Sequence, residues 1–193
     1  MRRGFVEPVL GSQRAFRRVL EAMAHPGRIV AVDPLIDAPA VLGPASAAIC
    51  LTLLDFETPL WVDAAARVPE VIDWLRFHCG VPLVDAPESA RFALILTPRM
   101  MPGLDAFEAG TDAMPDRSAT LILQVDALED GTGQRLTGPG IANAADLSVR
   151  GVAAGFWDFV RANSVRFPWG VDLVLAAGAR LAALPRSVRV EDA

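Results

Sequence analysis

Three arginines near the N-terminus are the residues whose type and spacing most clearly suggest binding chemistry. Arg14, Arg17 and Arg18 recur at intervals of three and four residues, which places them on one side of a helix. A guanidinium group binds a carboxylate or a phosphate through two parallel hydrogen bonds. The spacing therefore favours a site for an anion, although a solvated helix face has the same pattern.

A histidine and two glycine-containing turns are the other candidate binding residues. His25 precedes Pro26-Gly27, and it is either a general acid or phosphate ligand, or a turn histidine favoured by the preceding helix. Gly138-Pro139-Gly140 either presents backbone N–H groups to an anion or forms a tight turn between strands. Asp172 interrupts an apolar strand, and we expect it to pair with an internal arginine.

Several kinds of catalytic group are missing from the sequence. All 18 basic residues are arginine, so no lysine can form a Schiff base with pyridoxal phosphate or serve a Walker phosphate loop. No nucleophile lies in a recognised motif, and Cys50 is predicted to be inert. His78 and Cys79 are adjacent, but zinc needs three or four converging ligands, so this pair alone is not a metal site. We expect His78 to be a core histidine. We therefore expect no metal and no cofactor.

The composition predicts one packed domain over residues 1–193. Hydrophobic residues make up 52% and charged residues 21%, and the net charge of -5 disfavours a general nucleic-acid binder. No apolar run is long enough for a membrane span, and two cysteines make no disulfide framework, so we expect a cytoplasmic protein. Charge is uneven, because residues 1–28 carry +4 and the rest carries -9.

A helix from Ser12 to Ala24 is predicted to position the three arginines. Ser12 is its expected N-cap, and His25-Pro26-Gly27 ends it. Its apolar residues recur at helical spacing and are expected to form a buried face opposite the arginines: Phe16, Val19, Leu20 and Met23.

Helical and strand patterns alternate along the rest of the chain. We predict helices over residues 44–54, 69–79, 101–109 and 153–163. We predict strands over residues 28–32, 59–62, 92–96, 118–125, 146–149, 171–176 and 188–190. A polar turn over 129–133 is expected to lead into a hairpin strand over 135–137. This alternation is typical of an α/β domain with a mixed sheet and helices on both faces.

A series of short motifs runs through almost the whole chain. They are Gly4-Phe5, Pro8-Val9, Ser12-Gln13, Phe16-Arg17, Ala22-Met23-Ala24-His25-Pro26-Gly27, Leu53-Leu54-Asp55, Thr58-Pro59, Trp61, Phe77-His78, Phe92-Ala93, Gly110-Thr111, Pro115, Ser118-Ala119-Thr120, Leu136-Thr137-Gly138-Pro139-Gly140-Ile141, Phe167-Pro168, Gly170-Val171-Asp172-Leu173 and Ala183-Leu184-Pro185-Arg186. The ordered set resembles the PhnH family, the H subunits of the bacterial carbon–phosphorus lyase system.

The resemblance implies an accessory, non-catalytic subunit of the carbon–phosphorus lyase core complex, with subunits G, I and J as its partners. Together these subunits form alpha-D-ribose 1-methylphosphonate 5-triphosphate from ATP and methylphosphonate and release adenine. The resemblance also implies a homodimer in isolation and a fold like the large domain of pyridoxal-phosphate-dependent transferases without the cofactor. The alternative is a subunit that contributes its own catalytic or nucleotide-binding residues, or a stand-alone hydrolase or transferase.

The candidate binding residues are assigned a role within this scheme. We expect them to contact an acidic patch on a partner subunit, or a nucleotide or phosphonate at a shared site. The set is Arg14, Arg17, Arg18, His25, Gly27, Gly138 and Gly140. No catalytic residue is assigned, and we expect no activity from the chain alone.

Overall fold

A six-stranded mixed sheet forms the centre of the protein in a computed structural model that describes residues 2–191. The strands in chain order are β1 (Gly4–Phe5), β2 (Val30–Ala31), β3 (Ile36–Asp37), β4 (Leu60–Val62), β5 (Phe92–Ile95), β6 (Thr120–Gln124), β7 (Ala127–Thr137), β8 (Ala145–Arg150), β9 (Asp172–Ala177), β10 (Arg180–Leu184) and β11 (Arg189–Val190). The helices are α1 (Pro8–Ala24), α2 (Pro44–Leu53), α3 (Pro69–Cys79) and α4 (Phe156–Val165), with short 3₁₀ turns at Pro87–Ser89, Pro98–Met100, Leu104–Ala106 and Pro115–Arg117.

The central sheet has the strand order β2-β10-β9-β6-β5-β4. Strands β4, β5, β6 and β9 run parallel, while β10 and then β2 add in antiparallel register. A three-stranded antiparallel sheet, β11-β7-β8, and a two-stranded pair, β1-β3, lie outside it. The predicted mixed sheet is therefore confirmed.

Both faces of the central sheet are buried, because successive side chains of a strand point to opposite faces. Leu94, Ile122 and Val174 lie in one core cluster, together with the inward residues of α1, α2 and α3. Leu121 and Leu173 lie in a second cluster, which also contains inward residues of α4 and of the three-stranded sheet. Helices thus lie on both faces, but α4 shares its face with strands.

Helix α1 begins earlier than the sequence predicted. Its first residue is Pro8, and the residue before it, Glu7, has extended backbone. Proline is well suited to the first turn, because its fixed φ matches a helix and its missing N–H would have no partner there. Ser12 consequently lies inside the helix. Gly11 lies in this added first part of the helix, close to the Phe5 ring. A Cβ at position 11 would lie 2.7 Å from that ring, so the close contact requires glycine.

The buried face of α1 also differs from the prediction. The residues that face the core are Ala15, Val19 and Ala22, whereas Phe16 and Leu20 are exposed. Small side chains let α1 approach α2 and β10 closely, so the narrow alanine face is the one that packs inward. The predicted apolar face was therefore wrong for Phe16 and Leu20, and α1 has apolar residues on two sides.

The polar turn predicted over 129–133 lies inside strand β7. Both Asp130 and Gln134 pair with Leu147 of β8, so the residues between them form a bulge rather than a reversal. Gly131 and Gly133 have φ of +70° and +96°, a conformation that glycine adopts without steric cost. The chain reverses instead over residues 138–144, between β7 and β8.

Of the remaining predicted helices and strands, some are confirmed and others are not. The helices predicted over 44–54 and 69–79 are confirmed, and each begins with a proline in its first turn. The helix predicted over 101–109 is only the 3₁₀ turn at Leu104–Ala106, and strand β10 was not predicted. No helix within residues 2–191 has both the length and the apolar character that a membrane span requires.

Candidate functional site

The turn that ends α1 packs against the turn of the β7–β8 hairpin. The Gly27 N–H donates to the Ala183 carbonyl of β10 at 3.2 Å, which fixes the turn on the sheet. His25 Nδ1 lies 3.4 Å from the Gly140 carbonyl oxygen. A Cβ at position 140 would collide with the Ala24 carbonyl oxygen, so the close approach requires glycine. Two segments that the sequence singled out separately therefore meet in space.

This contact borders a surface cleft of about 720 Å³. The predicted site residues that line the cleft are His25, Gly27 and Gly140. Arg28 also lines it, together with the carboxylates of Asp130 and Asp146. Because one arginine stands against two acids, the charge in this cleft is mixed and does not by itself select an anion.

Gly138 does not line the cleft, and it lies in the turn of the β7–β8 hairpin. Its carbonyl accepts a hydrogen bond from the Ile141 N–H at 3.1 Å, and its φ is +133°. A Cβ there would lie 2.9 Å from the Ser187 carbonyl oxygen. The segment Gly138–Gly140 is thus a tight turn between two strands, which is one of the two alternatives that its sequence allowed.

The three arginines line a different cavity, of about 410 Å³, between α1 and the segment that follows β2. Arg14, Arg17 and Arg18 contribute its positive charge, and Asp33 is the acid in its lining. The remaining lining is mostly apolar and includes Phe5, Ala15, Val32 and Ala48. The cavity and the cleft share no lining residue within the described part of the chain, so the structure divides six of the predicted site residues between two places, and Gly138 lines neither.

The arginines differ in how far their charges are already compensated. Arg18 donates to Glu21 at 2.7 Å. Across residues 2–191, neither Arg14 nor Arg17 has a carboxylate within ion-pair distance. Two exposed guanidinium groups are therefore available to a carboxylate, phosphate or phosphonate group that comes from outside the chain.

A third cavity, of about 570 Å³, is lined in part by the ion pair that the sequence predicted for Asp172, and this pair is partly buried. Arg186 Nη2 donates to Asp172 Oδ2 at 2.5 Å, and the Arg186 backbone N–H donates to Oδ1 at 2.9 Å. Arg186 Nη1 also donates to the Pro115 carbonyl at 2.8 Å. The sequence indicated that Asp172 needs an arginine, but only the structure identifies which one, because Arg186 follows the end of β10, which pairs with β9 beside Asp172.

Cys50 is buried, and Cys79 and His78 are half-buried. Burial raises the pKa of the Cys50 thiol, and it raises that of Cys79 to about 12, so both thiols are protonated at neutral pH. The Cys79 thiol donates weakly to the Cys50 carbonyl at 3.6 Å, and His78 Nε2 lies 2.9 Å from the Arg2 carbonyl oxygen. Residues 2–191 contain no group of three or more histidine, cysteine or acidic side chains placed to hold a metal ion.

Comparison with known proteins places this arrangement in a family. The profile of the family described as "Bacterial phosphonate metabolism protein (PhnH)" matches residues 3–191. The alpha-D-ribose 1-methylphosphonate 5-triphosphate synthase subunit PhnH of Rhizobium meliloti (strain 1021) is 38% identical over 187 residues, which cover 97% of this chain and 94% of that protein. A putative C-P lyase subunit protein, HtxG, of Stutzerimonas stutzeri is 32% identical over 183 residues, which cover 92% and 85% of the two chains.

Proposed function

Since the chain belongs to the PhnH family of bacterial phosphonate metabolism proteins, we propose that it is an accessory subunit of a carbon–phosphorus lyase complex. The observation that carries the proposal is the extent of the family match, which includes every helix and every strand described above. The two thiols are consistent with an accessory role, because burial raises the pKa of both and keeps them protonated, so neither is an activated nucleophile.

In this role the chain acts in the cytoplasm with subunits G, I and J. The complex replaces adenine at C1 of the ATP ribose with an oxygen of methylphosphonate, which gives alpha-D-ribose 1-methylphosphonate 5-triphosphate and free adenine. The reaction is therefore a group transfer. This chain supports the transfer by completing the assembly rather than by supplying a reacting group.

The proposal extends to the state of the isolated chain and to its ancestry. We expect a homodimer in the absence of the other subunits, and several large apolar side chains on the surface support self-association. We also propose that the α/β core is related to the large domain of pyridoxal-phosphate-dependent transferases. The sequence supports a relative that has lost the cofactor, because it offers no lysine for an internal aldimine.

The arginine-lined cavity is the proposed contact with an anion. Arg14 and Arg17 have uncompensated charges, and the cavity is large enough for a phosphate or a carboxylate side chain. Its occupant is either an acidic patch on a partner subunit or the phosphates of the nucleotide. The cleft at His25, Gly27 and Gly140 is the second candidate contact surface, with Gly138 supporting its hairpin.

Omission of single subunits tests the proposed function. Purified G, I, J and this chain are combined with ATP and methylphosphonate, and adenine release is measured by chromatography. Release should require this chain, and the chain alone should be silent. Adenine release that does not change when this chain is left out would refute the accessory role. Tight ATP binding or adenine release by the isolated chain would instead support the alternative in which it carries catalytic or nucleotide-binding residues.

A further inference from the structure

The arginine-lined cavity combines an apolar floor with a positively charged rim. Three exposed arginines of α1 form the rim: Arg14, Arg17 and Arg18. Residues that are at most 9% exposed form the floor, and they come from β1, α1, the segment after β2, and α2: Phe5, Ala15, Val32 and Ala48. An occupant of this cavity therefore meets buried apolar surface below and guanidinium groups above.

The positive charge at the rim is only partly compensated within the chain. Arg17 and Arg18 follow Arg14 by three and four residues, which makes both of them its neighbours on the helix surface. Arg18 is paired with Glu21 at 2.7 Å. Across residues 2–191, no carboxylate lies within ion-pair distance of Arg14 or Arg17. Two neighbouring guanidinium groups are therefore open to carboxylates from outside the chain.

The excess of positive charge is too small to favour a nucleotide. Asp33 lies in the same lining and opposes the two open arginines. A triphosphate brings more negative charge than this excess compensates, whereas one or two carboxylates match it. The glycine in the lining, Gly11, is no phosphate loop, because it lies within α1 and its N–H already donates to the Glu7 carbonyl at 2.7 Å. Both observations favour carboxylates over the phosphates of a nucleotide.

Asp33 also indicates that the occupant carries hydrogen-bond donors. Its Oδ1 accepts the Leu35 N–H at 2.9 Å, and its Oδ2 has no hydrogen-bond partner in the described part of the chain. A polypeptide offers an N–H group at every residue except proline, and the phosphates of a nucleotide offer none. Side-chain carboxylates for the arginines and backbone N–H groups for Asp33 occur together in a segment of protein.

We infer that this cavity docks an acidic segment of a partner subunit. The segment places an apolar side chain on the floor, and it places a flanking glutamate or aspartate against Arg14 and Arg17. The partner is another subunit of the proposed carbon–phosphorus lyase complex, so its identity rests on the proposed function. Side chains that fill pockets dominate the energy of protein interfaces, and arginine is enriched among the residues that matter most. The docked segment therefore holds this chain in the assembly.

A short labelled peptide tests the cavity without the other subunits. The probe has a central leucine between glutamates, and its counterpart has glutamine in place of every glutamate. Fluorescence anisotropy should show at least about tenfold tighter binding of the acidic peptide to wild type, because hydrogen bonds between charged groups are stronger than those between an arginine and a neutral amide. Equal binding of the two peptides would overturn the inference.

Two double variants assign the effect to the rim of the cavity. Arg14→Gln/Arg17→Gln removes the two open charges and keeps good helix formers. Arg76→Gln/Arg189→Gln removes two exposed arginines that lie outside this cavity, and it serves as the matched control. Circular dichroism should be unchanged in both. The rim variant should lose the preference for the acidic peptide and the control should keep it; a preference that survives in the rim variant would overturn the inference.

A further variant tests the apolar floor. Ala31 is an exposed residue of β2 that lines the cavity, so Ala31→Trp narrows the cavity without a change of charge and keeps a residue type that suits a strand. Both peptides should bind about tenfold more weakly, which is the loss expected when one leucine is no longer buried. Unchanged binding would show that the peptide lies outside the cavity, contrary to the inference.

Assembly with purified G, I and J separates this inference from the proposed function. If wild type does not assemble with them, the proposed function fails and the peptide measurements alone decide the docking inference. If wild type assembles, the rim variant should bind the other subunits at least about tenfold more weakly than the control does. Wild-type affinity of the rim variant would overturn the docking inference and leave the proposed function intact.

Two results would assign the cavity to a different occupant and overturn the inference. The first is light scattering in which the rim variant has lost only self-association, because the occupant is then a second copy of this chain. The second is ATP binding to the isolated wild type that the rim variant abolishes, because the occupant is then the nucleotide.

Discussion

The partly buried ion pair of Arg186 and Asp172 allows a quantitative test of the structure. Each side chain is 15% exposed, and the guanidinium group also donates to the Pro115 carbonyl. Arg186→Met keeps most of the side-chain volume but leaves the partly buried carboxylate without its cation. Removing one partner of a fully buried pair costs about 3–5 kcal/mol of unfolding free energy, so we expect a loss of about 2–3 kcal/mol for this partly buried pair. For a protein of this size that corresponds to a fall of about 4–12 °C in Tm.

An exposed ion pair in the same protein provides the control. Arg99 Nη2 lies 2.6 Å from Asp126 Oδ2, but the two side chains are 63% and 64% exposed. Exposed pairs contribute about 0–1 kcal/mol, so Arg99→Met should change Tm little. The comparison thus separates the effect of burial from the effect of losing an arginine.

A double variant extends the same measurement. Asp172→Asn together with Arg186→Met removes both charges, while the amide oxygen can still accept the Arg186 backbone N–H. It should recover most of the stability that Arg186→Met loses, because no uncompensated charge remains. Unfolding by urea, followed by tryptophan fluorescence and circular dichroism, measures all the variants. Equal losses for Arg186→Met and Arg99→Met would show that the carboxylate is not buried as described.

Three further predictions concern the turn, the thiols and the arginines. Gly140→Ala should lower the unfolding free energy by about 1–3 kcal/mol, because the position has a positive φ and the new Cβ meets the last turn of α1; a wild-type melting curve would contradict the hairpin contact. Cys50 and Cys79 should resist a disulfide reagent at pH 8 and react fully in denaturant, since burial raises the pKa of both thiols; rapid labelling of the native protein would contradict their placement. Charge reversal of Arg14 and Arg17 to glutamate should weaken assembly with G, I and J by at least about tenfold without changing helix content, and wild-type affinity in a co-purification titration would mean that this side of α1 is only solvated.

Sequence patterns predicted the sheet better than they predicted the first helix. Strands β5, β6 and β9 are covered on both faces, so they read as continuous apolar runs that can be recognised without knowing the fold. In α1 the periodicity identified Phe16 and Leu20 as one apolar side, but periodicity cannot tell which of two apolar sides packs inward. The choice depends on Ala15 and Ala22, whose small size matters only once the opposing elements are in place.

The sequence predicted individual residues of the candidate site, but it did not predict which of them lie close together. His25 and Gly140 are 115 residues apart, and no local signal indicates that their segments touch. The glycines at 131 and 133 give the same local signal as a hairpin turn, because a bulge and a turn both need positive φ. The arginines could be assigned to one helix side, but their cavity also needs the segment around Asp33, which packs there through tertiary contacts alone.

The strand order also determines when the central sheet can be completed during synthesis of the chain. Arg180 and Leu181 of β10 pair with Ala31 and Val30 of β2. Strand β2 is synthesised early, but it can pair only after β10, one of the last strands, has been synthesised. At bacterial or eukaryotic translation rates, the intervening residues take roughly 8–30 s to emerge. During that interval the inward side of α1 can pack against α2 but lacks β10, the strand on which it finally rests. The central sheet can therefore be completed only after almost the whole chain has been made.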